Sequence, residues 1–177
     1  MIQLETQRLI MRQWCDDDIK PFAAMNQDMR IMEFFPFVLS EQESAQMIEL
    51  FCQRMQRTGF LYLPVIEKAT GSFAGMVNLT PVAFEAHFTP AFEIGWRLAF
   101  DFWGKGYATE AAKKLIEYGF SELNLGEIVS FTVTGNKRSS AVMERLGMTY
   151  EGDFDHPGLP PESPLRRHAL YQINRTL

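Results

Sequence analysis

Phe92 to Phe120 reads FEIGWRLAFDFWGKGYATEAAKKLIEYGF. It opens as an apolar strand from Glu93 to Ala99, passes through a glycine-bearing turn from Asp101 to Gly106, and becomes an amphipathic helix near Tyr107. In that helix Ala108, Ala111, Ala112, Leu115, Ile116 and Gly119 recur at three- and four-residue spacing and make one apolar face, which Thr109, Lys113, Lys114 and Glu117 avoid. The turn meets the helix with small residues at Gly104, Gly106 and Ala108 and with no carboxylate between Asp101 and Glu110. The first N–H groups of a helix have no internal partner and carry the positive end of its dipole, and glycine lets an anion come close to the backbone. A phosphate site is therefore expected here. The plainer reading is a connection whose glycines only make the turn.

Two known phosphate motifs do not fit. A P-loop needs GxxxxGK followed by Ser or Thr, but Ala99 stands at the first glycine position and Gly106 follows Lys105. A dinucleotide GxGxxG fingerprint needs Gly or Ala where Thr109 stands, and the acidic residue expected about 20 positions later does not end a following strand.

The composition fits one globular domain spanning 1–177. The chain has 177 residues, 46% of them hydrophobic, and a net charge of −5, which argues against general nucleic-acid binding. No apolar run approaches the ~20 residues of a membrane-spanning helix, and MIQLETQRL lacks the apolar core of a signal peptide. Cys15 and Cys52 have no metal-like spacing and are expected as reduced, packed thiols of a cytoplasmic protein. His87, His156 and His168 also lack metal spacing, so no metal is expected.

Taken in order, Arg8 to Trp14 alternates as a strand, and Asp16 to Asp18 opens a helix with Ile19, Phe22, Ala23 and Asn26 on its inner face. Met32 to Leu39 is an apolar turn around Pro36. Ser40 and Glu43 form a capping box for a helix whose Ala45, Ile48, Phe51, Cys52 and Met55 face inward and which Gly59 ends. Phe60 to Glu67 and Phe73 to Val82 make a hairpin about Lys68 to Gly71, with Pro64 marking an edge or a bulge. Phe84 to Pro90 is a loop. Glu127 to Thr134 is a later strand, Asn136 to Leu146 a helix capped by Gly147, Asp153 to Pro164 a proline-rich loop, and Arg166 to Asn174 a closing strand. Periodicity supports a mixed α/β chain, antiparallel before the glycine turn and crossing over after it.

Several segments carry a family resemblance. Trp103 to Ala108 resembles the acyl-CoA motif of the GNAT superfamily of N-acyltransferases: Gln or Arg, two variable positions, Gly, one variable position, then Gly or Ala. Gly106 and Ala108 match, and Trp103 replaces the Gln or Arg. The longer string WGKGYATEA, from Trp103 to Ala111, resembles the branch that includes the ribosomal-protein N-terminal (alanine) acetyltransferases. LETQRLIMRQW followed by DDD resembles that branch's opening, commonly ETxRLxLRxW. Asn136, Ser139 and Gly147 are spaced like its NxxS segment, and Tyr150 to Ile173 is similar to the tail of a bacterial subgroup. The resemblance implies a single-domain GNAT fold (α+β), a mostly antiparallel sheet flanked by helices with splayed central strands that hold acyl-CoA.

The resemblance also implies a chemistry: transfer of an acetyl group from acetyl-CoA to a primary amine, by direct attack through a tetrahedral intermediate. Backbone N–H groups of Gly104, Lys105, Gly106, Tyr107, Ala108 and Thr109 would take the pyrophosphate, with the Lys105 ammonium as a further partner and Trp103 bordering the site. Exposed backbone of Leu98, Ala99 and Phe100 would pair with the pantetheine arm, which Asn136 also contacts, and an N–H near Leu98 would meet the oxyanion. Glu93 matches the position of the family's base; as plain structure it is a strand-end carboxylate. Many relatives protonate the thiolate with a Tyr where this chain has Met143. The closer branch uses a Ser near the helix start, so Ser139 and then Ser140 are the candidates, and either is equally an ordinary first-turn serine. Phe34, Phe35 and Phe37 would line the acceptor pocket, with His156 in a loop that borders it. The acceptor is a protein N-terminus or a small-molecule amine, and the protein a monomer or homodimer with no nucleic acid or membrane partner. The alternatives are a CoA-binding sensor or structural protein with little turnover, which Met143 favours, and a nucleotide-binding α/β module, which the two failed motifs disfavour.

Overall fold

The computed structural model describes residues 2–175. Its elements follow one another as β1 (Leu4–Glu5), β2 (Leu9–Met11), α1 (Ile19–Gln27), α2 (Glu41–Thr58), β3 (Leu61–Glu67), β4 (Phe73–Pro81), β5 (Phe92–Leu98), α3 (Tyr107–Ser121), β6 (Glu127–Val133), α4 (Lys137–Arg145), β7 (Thr149–Asp155) and β8 (Arg167–Asn174). The strands form one mixed sheet in the order β1-β2-β3-β4-β5-β6-β8-β7. Every neighbouring pair is antiparallel except β5 and β6.

Strand alternation divides the core between the two faces. Leu61, Leu63 and Val65 of β3, with Val77 and Leu79 of β4, meet Ala111, Ala112, Leu115 and Ile116 of α3 and Met143 of α4. Ile66, Phe73 and Met76 meet Phe22 and Met25 of α1 and Ile48 and Phe51 of α2 on the opposite face. The helices thus sandwich the sheet, and β3 and β4 are buried on both sides. A third cluster of Ala91, Val129, Phe154 and Leu170, joined by Phe84, Phe88 and Phe131, covers the β6–β8–β7 part under the 82–90 loop.

The helix ends follow the sequence closely. Ser40 accepts from the Glu43 N–H while the Glu43 carboxylate returns to the Ser40 N–H, and Gly59 closes α2 at φ 73°. At the end of α4 the Gly147 N–H donates to the Glu144 carbonyl and the Met148 N–H to that of Met143, a Schellman motif that only a left-handed Gly147 allows without strain.

Two boundaries differ from the sequence reading. The strand expected from Arg8 to Trp14 is β2 and spans only Leu9–Met11, because Trp14 turns inward and its indole N–H donates 2.8 Å to the Tyr62 carbonyl. Asp153 to Asp155 belong to β7, not to the following loop: they pair with β8 as Asp153↔Ala169, Phe154↔His168 and Asp155↔Arg167. Pro64 lies in β3 beyond the reach of β2, whose pairing starts at Val65, so its missing N–H breaks no ladder on that side, and the adjacent register shift is the bulge it foretold.

The junction of β5 and β6 positions everything that follows. β5 pairs with β4 from Phe92 to Leu98, and β6 pairs with β8 from Glu127 to Val133. Between themselves β5 and β6 share one pair, Glu93↔Val129, reinforced by the Ser130 hydroxyl donating 2.9 Å to the Ile94 carbonyl. Beyond it the strands separate.

Candidate active site

The connection from β5 to α3 is a turn with two left-handed glycines, Gly104 at φ 74° and Gly106 at φ 79°. A side chain would strain either position. Gly106 precedes α3 and supplies no capping side chain, and the first backbone bond of the helix runs from the Glu110 N–H to the Gly106 carbonyl. Among the described residues no bond spends the N–H groups of Gly104 to Thr109, and Gly104, Lys105 and Gly106 are exposed. This is an anion cradle open to solvent.

Side chains hold the cradle from behind. Arg8 donates to the Lys105 carbonyl at 2.9 Å and to the Glu110 carboxylate, with its guanidinium 4.6 Å from the centre of the Tyr107 ring. Burial pushes the Glu110 carboxyl up, but the Thr6 hydroxyl and Arg8 outweigh it and leave it below its ordinary range. The buried Tyr107 hydroxyl donates 2.6 Å to Glu67, which ties the helix start to the end of β3 and lowers the Glu67 pKa. Tyr107 therefore offers a ligand only its backbone. Lys105 leans toward Glu67 at 4.0 Å and lies over the Phe102 ring.

At the other edge of the turn much of the backbone is already engaged. The Ala99 N–H donates to the Ala74 carbonyl, the Ala99 and Phe100 carbonyls accept from the Phe102 and Trp103 N–H groups, and the Trp103 indole donates 2.9 Å to the Leu98 carbonyl. Because Ala99 bonds to β4, the alternate residues Leu98, Trp96 and Ile94 turn their backbone groups the other way, toward the gap with β6. The Leu98 N–H and both Trp96 groups thus face the splay. Trp96 is absent from the sequence-derived set, although two-residue periodicity links it to Leu98.

Across the gap, α4 starts at Asn136, whose Oδ1 accepts from the Ser139 N–H at 3.3 Å and whose Nδ2 donates to the hydroxyls of Thr132 and Ser139 at 3.0 and 3.1 Å. Both amide hydrogens are spent, so only Oδ1 has capacity left, and Asn136 can accept one more bond but not donate one. The cap and the amide, separable in principle, are here the same group. Ser139 sits beside this amide. Ser140 is buried, bonds back to the Asn136 carbonyl at 3.3 Å and lines a depression against Tyr150, Asp153, Ala169 and Tyr171 on the far side of α4. Met143 is 1% exposed within the core. Arg138 lies 4.6 Å over Trp103 and pairs with Glu33 at 2.6 Å, which joins α4 to the segment after α1.

Glu93 stands at the root of the splay, between Thr80 of β4 and Val129 of β6. Partial burial pushes its pKa up to about 7, against a smaller lowering by the Thr80 hydroxyl. A carboxylate that titrates there exists in both forms at neutral pH and can exchange a proton with an amine or a water. It faces the α1–α2 side, where the 32–39 segment lies. Phe34 reaches toward Gly135, where an added Cβ would be 3.7 Å from its ring. Phe35 covers Arg97 at 5.0 Å, and Phe37 stands 66% exposed. His156 packs 4.4 Å from Phe84 and 5.1 Å from His168, centroid to centroid, and burial followed by His168 lowers its pKa. It belongs to the aromatic cluster on the flank opposite the phenylalanines.

The parts agree with a nucleotide thioester: a cradle of free N–H groups, a wedge with strand-like backbone on one wall, and a titratable carboxylate at its apex. The chain matches the family described as Acetyltransferase (GNAT) domain over residues 8–149. It is 31% identical over 150 residues to the uncharacterized protein YkkB of Bacillus subtilis (strain 168), across 84% of this chain and 86% of that one. It is 31% identical over 91 residues to spermidine N(1)-acetyltransferase of Escherichia coli (strain K12), across 51% of this chain and 47% of that one. The crystal structure of the acetyltransferase (GNAT family) from Bacillus anthracis superimposes with a TM-score of 0.81 at 25% identity, covering 98% of both chains. The chain belongs to the GNAT family and is an acetyl-CoA-dependent acetyltransferase.

Proposed function

We propose that the chain N-acetylates a primary amine, either a protein N-terminus or a small molecule, with Glu93 as the base. Acetyl-CoA supplies the activated acetyl group. The N–H groups from Gly104 to Thr109 hold its pyrophosphate, with Lys105 adding charge and Trp103 closing the edge. The Leu98 N–H and the Trp96 backbone align the arm as an added strand would, leaving Ala99 and Phe100 to shape the turn. Asn136 accepts from an amide of the arm through Oδ1. Glu93 takes the proton of the incoming ammonium, directly or through a water, and the Leu98 N–H stabilises charge on the carbonyl oxygen. Ser139 is the candidate donor to the leaving thiolate, and Ser140 is set aside by its orientation. Phe34, Phe35, Phe37 and His156 border the acceptor from two flanks. The single observation that carries this reading is Glu93, a carboxylate with a pKa of about 7 at the apex of the wedge.

Melting with and without acetyl-CoA, with ATP and NAD as controls, tests the donor. At a hundred times Kd a ligand stabilises by about 2.7 kcal/mol, which for a chain of this size is roughly 5–10 °C. CoA release with amines at varied pH then tests Glu93. The wild-type rate should rise to about pH 7 and level off, because above it Glu93 is ionised and strips the ammonium. Glu93→Gln should lose most activity near neutrality and recover as the pH approaches that of the free amine. A variant with the wild-type profile would remove Glu93 as base. Binding of CoA with no release by any amine would leave the binding-only reading that Met143 favours.

A further inference from the structure

We propose that Arg97 binds an anionic group of the acceptor, so that the amine acetylated here belongs to a molecule that also carries a carboxylate several bonds from the nitrogen. The inference rests on the proposed acceptor face and names its specificity. Strand alternation puts Glu93, Gly95 and Arg97 on one face of β5, the face of α1 and α2, while Ile94 and Leu98 enter the core beneath α3.

The surroundings of Arg97 are unlike those of the paired arginines. Arg8, Arg12, Arg30, Arg138, Arg166 and Arg167 each pair with a carboxylate. Arg97, half-buried, pairs with none among the described residues. Its Nη1 lies 3.4 Å from the Met32 sulfur and its Nη2 3.7 Å from that of Met76. The rings of Phe22 and Phe35 lie 5.5 and 5.0 Å from its central carbon. Thioethers are weak acceptors and guanidinium carries five donors, so the charge is partly dehydrated without an equivalent return. Burial lowers its pKa only to about 10, and it stays cationic at neutral pH. A planar anion satisfies such a fork with two parallel bonds.

Between Glu93 and Arg97 the strand itself offers no side chain on this face, and the Asn78 amide lies against it. Gly95 contributes no side chain, and a Cβ there would stand 2.7 Å from Oδ1 of Asn78 on the neighbouring strand. The floor is therefore backbone edged by an amide. Four strand steps separate the two Cα atoms by roughly 13 Å, which the two long side chains shorten. That span suits an amine and a carboxylate at opposite ends of a short chain. A polyamine would instead set a second ammonium against an unpaired guanidinium, a repulsive contact.

The test uses three amines of matched length, δ-aminovalerate, δ-aminovaleramide and cadaverine, with wild type, Arg97→Met and Arg97→Lys. In wild type kcat/KM for the carboxylate should exceed that for the amide by about tenfold or more, and that for cadaverine by more still. Arg97→Met should bring the carboxylate-to-amide ratio to about one through a rise in KM, while acetyl-CoA still raises its melting temperature. Arg97→Lys, which keeps charge but loses the fork and tolerates the site if the methionine does not, should retain part of the preference. Equal use of carboxylate and amide by wild type overturns the proposal, as does an unchanged ratio in both variants. If acetyl-CoA binds but no amine releases CoA, acetyl transfer to amines fails separately, and calorimetry of δ-aminovalerate with the CoA-bound protein decides the role of Arg97: equal affinity of wild type and Arg97→Met sinks it.

Discussion

The two helices that flank the splay begin in opposite ways. α4 starts with Asn136, whose side chain closes the first turn and bonds to Thr132 and Ser139. α3 starts with a left-handed glycine that caps nothing, and its first N–H groups are free. A glycine at this position costs a helix a few tenths of a kcal/mol relative to a side-chain cap. The sequence can supply a cap, since it does so at Ser40 and Asn136, and its omission at Gly106 leaves backbone donors free for the proposed cofactor. One helix end is a structural stop and the other the proposed binding surface, though both open on the same wedge.

The largest expected effect comes from placing the same carboxylate at each start. Gly106→Asp puts a negative charge in the cradle and should weaken acetyl-CoA binding by roughly a hundredfold or more. Asn136→Asp keeps a residue that caps equally well and should change affinity only a few-fold. Calorimetric titration of both variants measures the contrast, and equal losses would erase the distinction between the two ends. Removing the cap itself probes the other side. Asn136→Ala should destabilise the protein by about 1 kcal/mol, seen as a fall of roughly 2–4 °C in Tm, a loss that no glycine at 106 can produce. The smallest effect is expected for Arg8→Ala, which frees the Lys105 carbonyl and leaves Glu110 without its cation. Acetyl-CoA affinity should fall about threefold, with the deficit shrinking in high salt as Glu110 is screened.

Much of this arrangement is legible in the chain, for identifiable reasons. The α3 stripe, the Ser40 capping box, Gly59 and Gly147 are local patterns with local causes, and the structure keeps them. β7 escaped because TYEGDFD exposes most of its side chains, with only Phe154 buried, and bulges near Gly152, so no alternation announces it. The position of Glu93 is visible in sequence, but its raised pKa is not, since the groups that dry it come from β4 and β6. Ser140 is adjacent to Ser139 in the chain, yet one helical step turns it to the other side of α4. The capture of the Leu98 carbonyl by Trp103 is a side-chain event that no spacing encodes. Arg97 reads as the polar member of an alternating strand, and only the contacts with Met32 and Met76 reveal that it has no counter-charge.

The single pair at Glu93 and Val129 has a mechanical meaning as well. The sheet is two hydrogen-bonded halves, β1 to β5 and β6 to β8, joined at one residue pair and the Ser130 hydroxyl and by the core beneath α3. The carboxylate proposed as the base sits at this joint itself, so any widening of the gap displaces it less than it displaces the far end of the wedge.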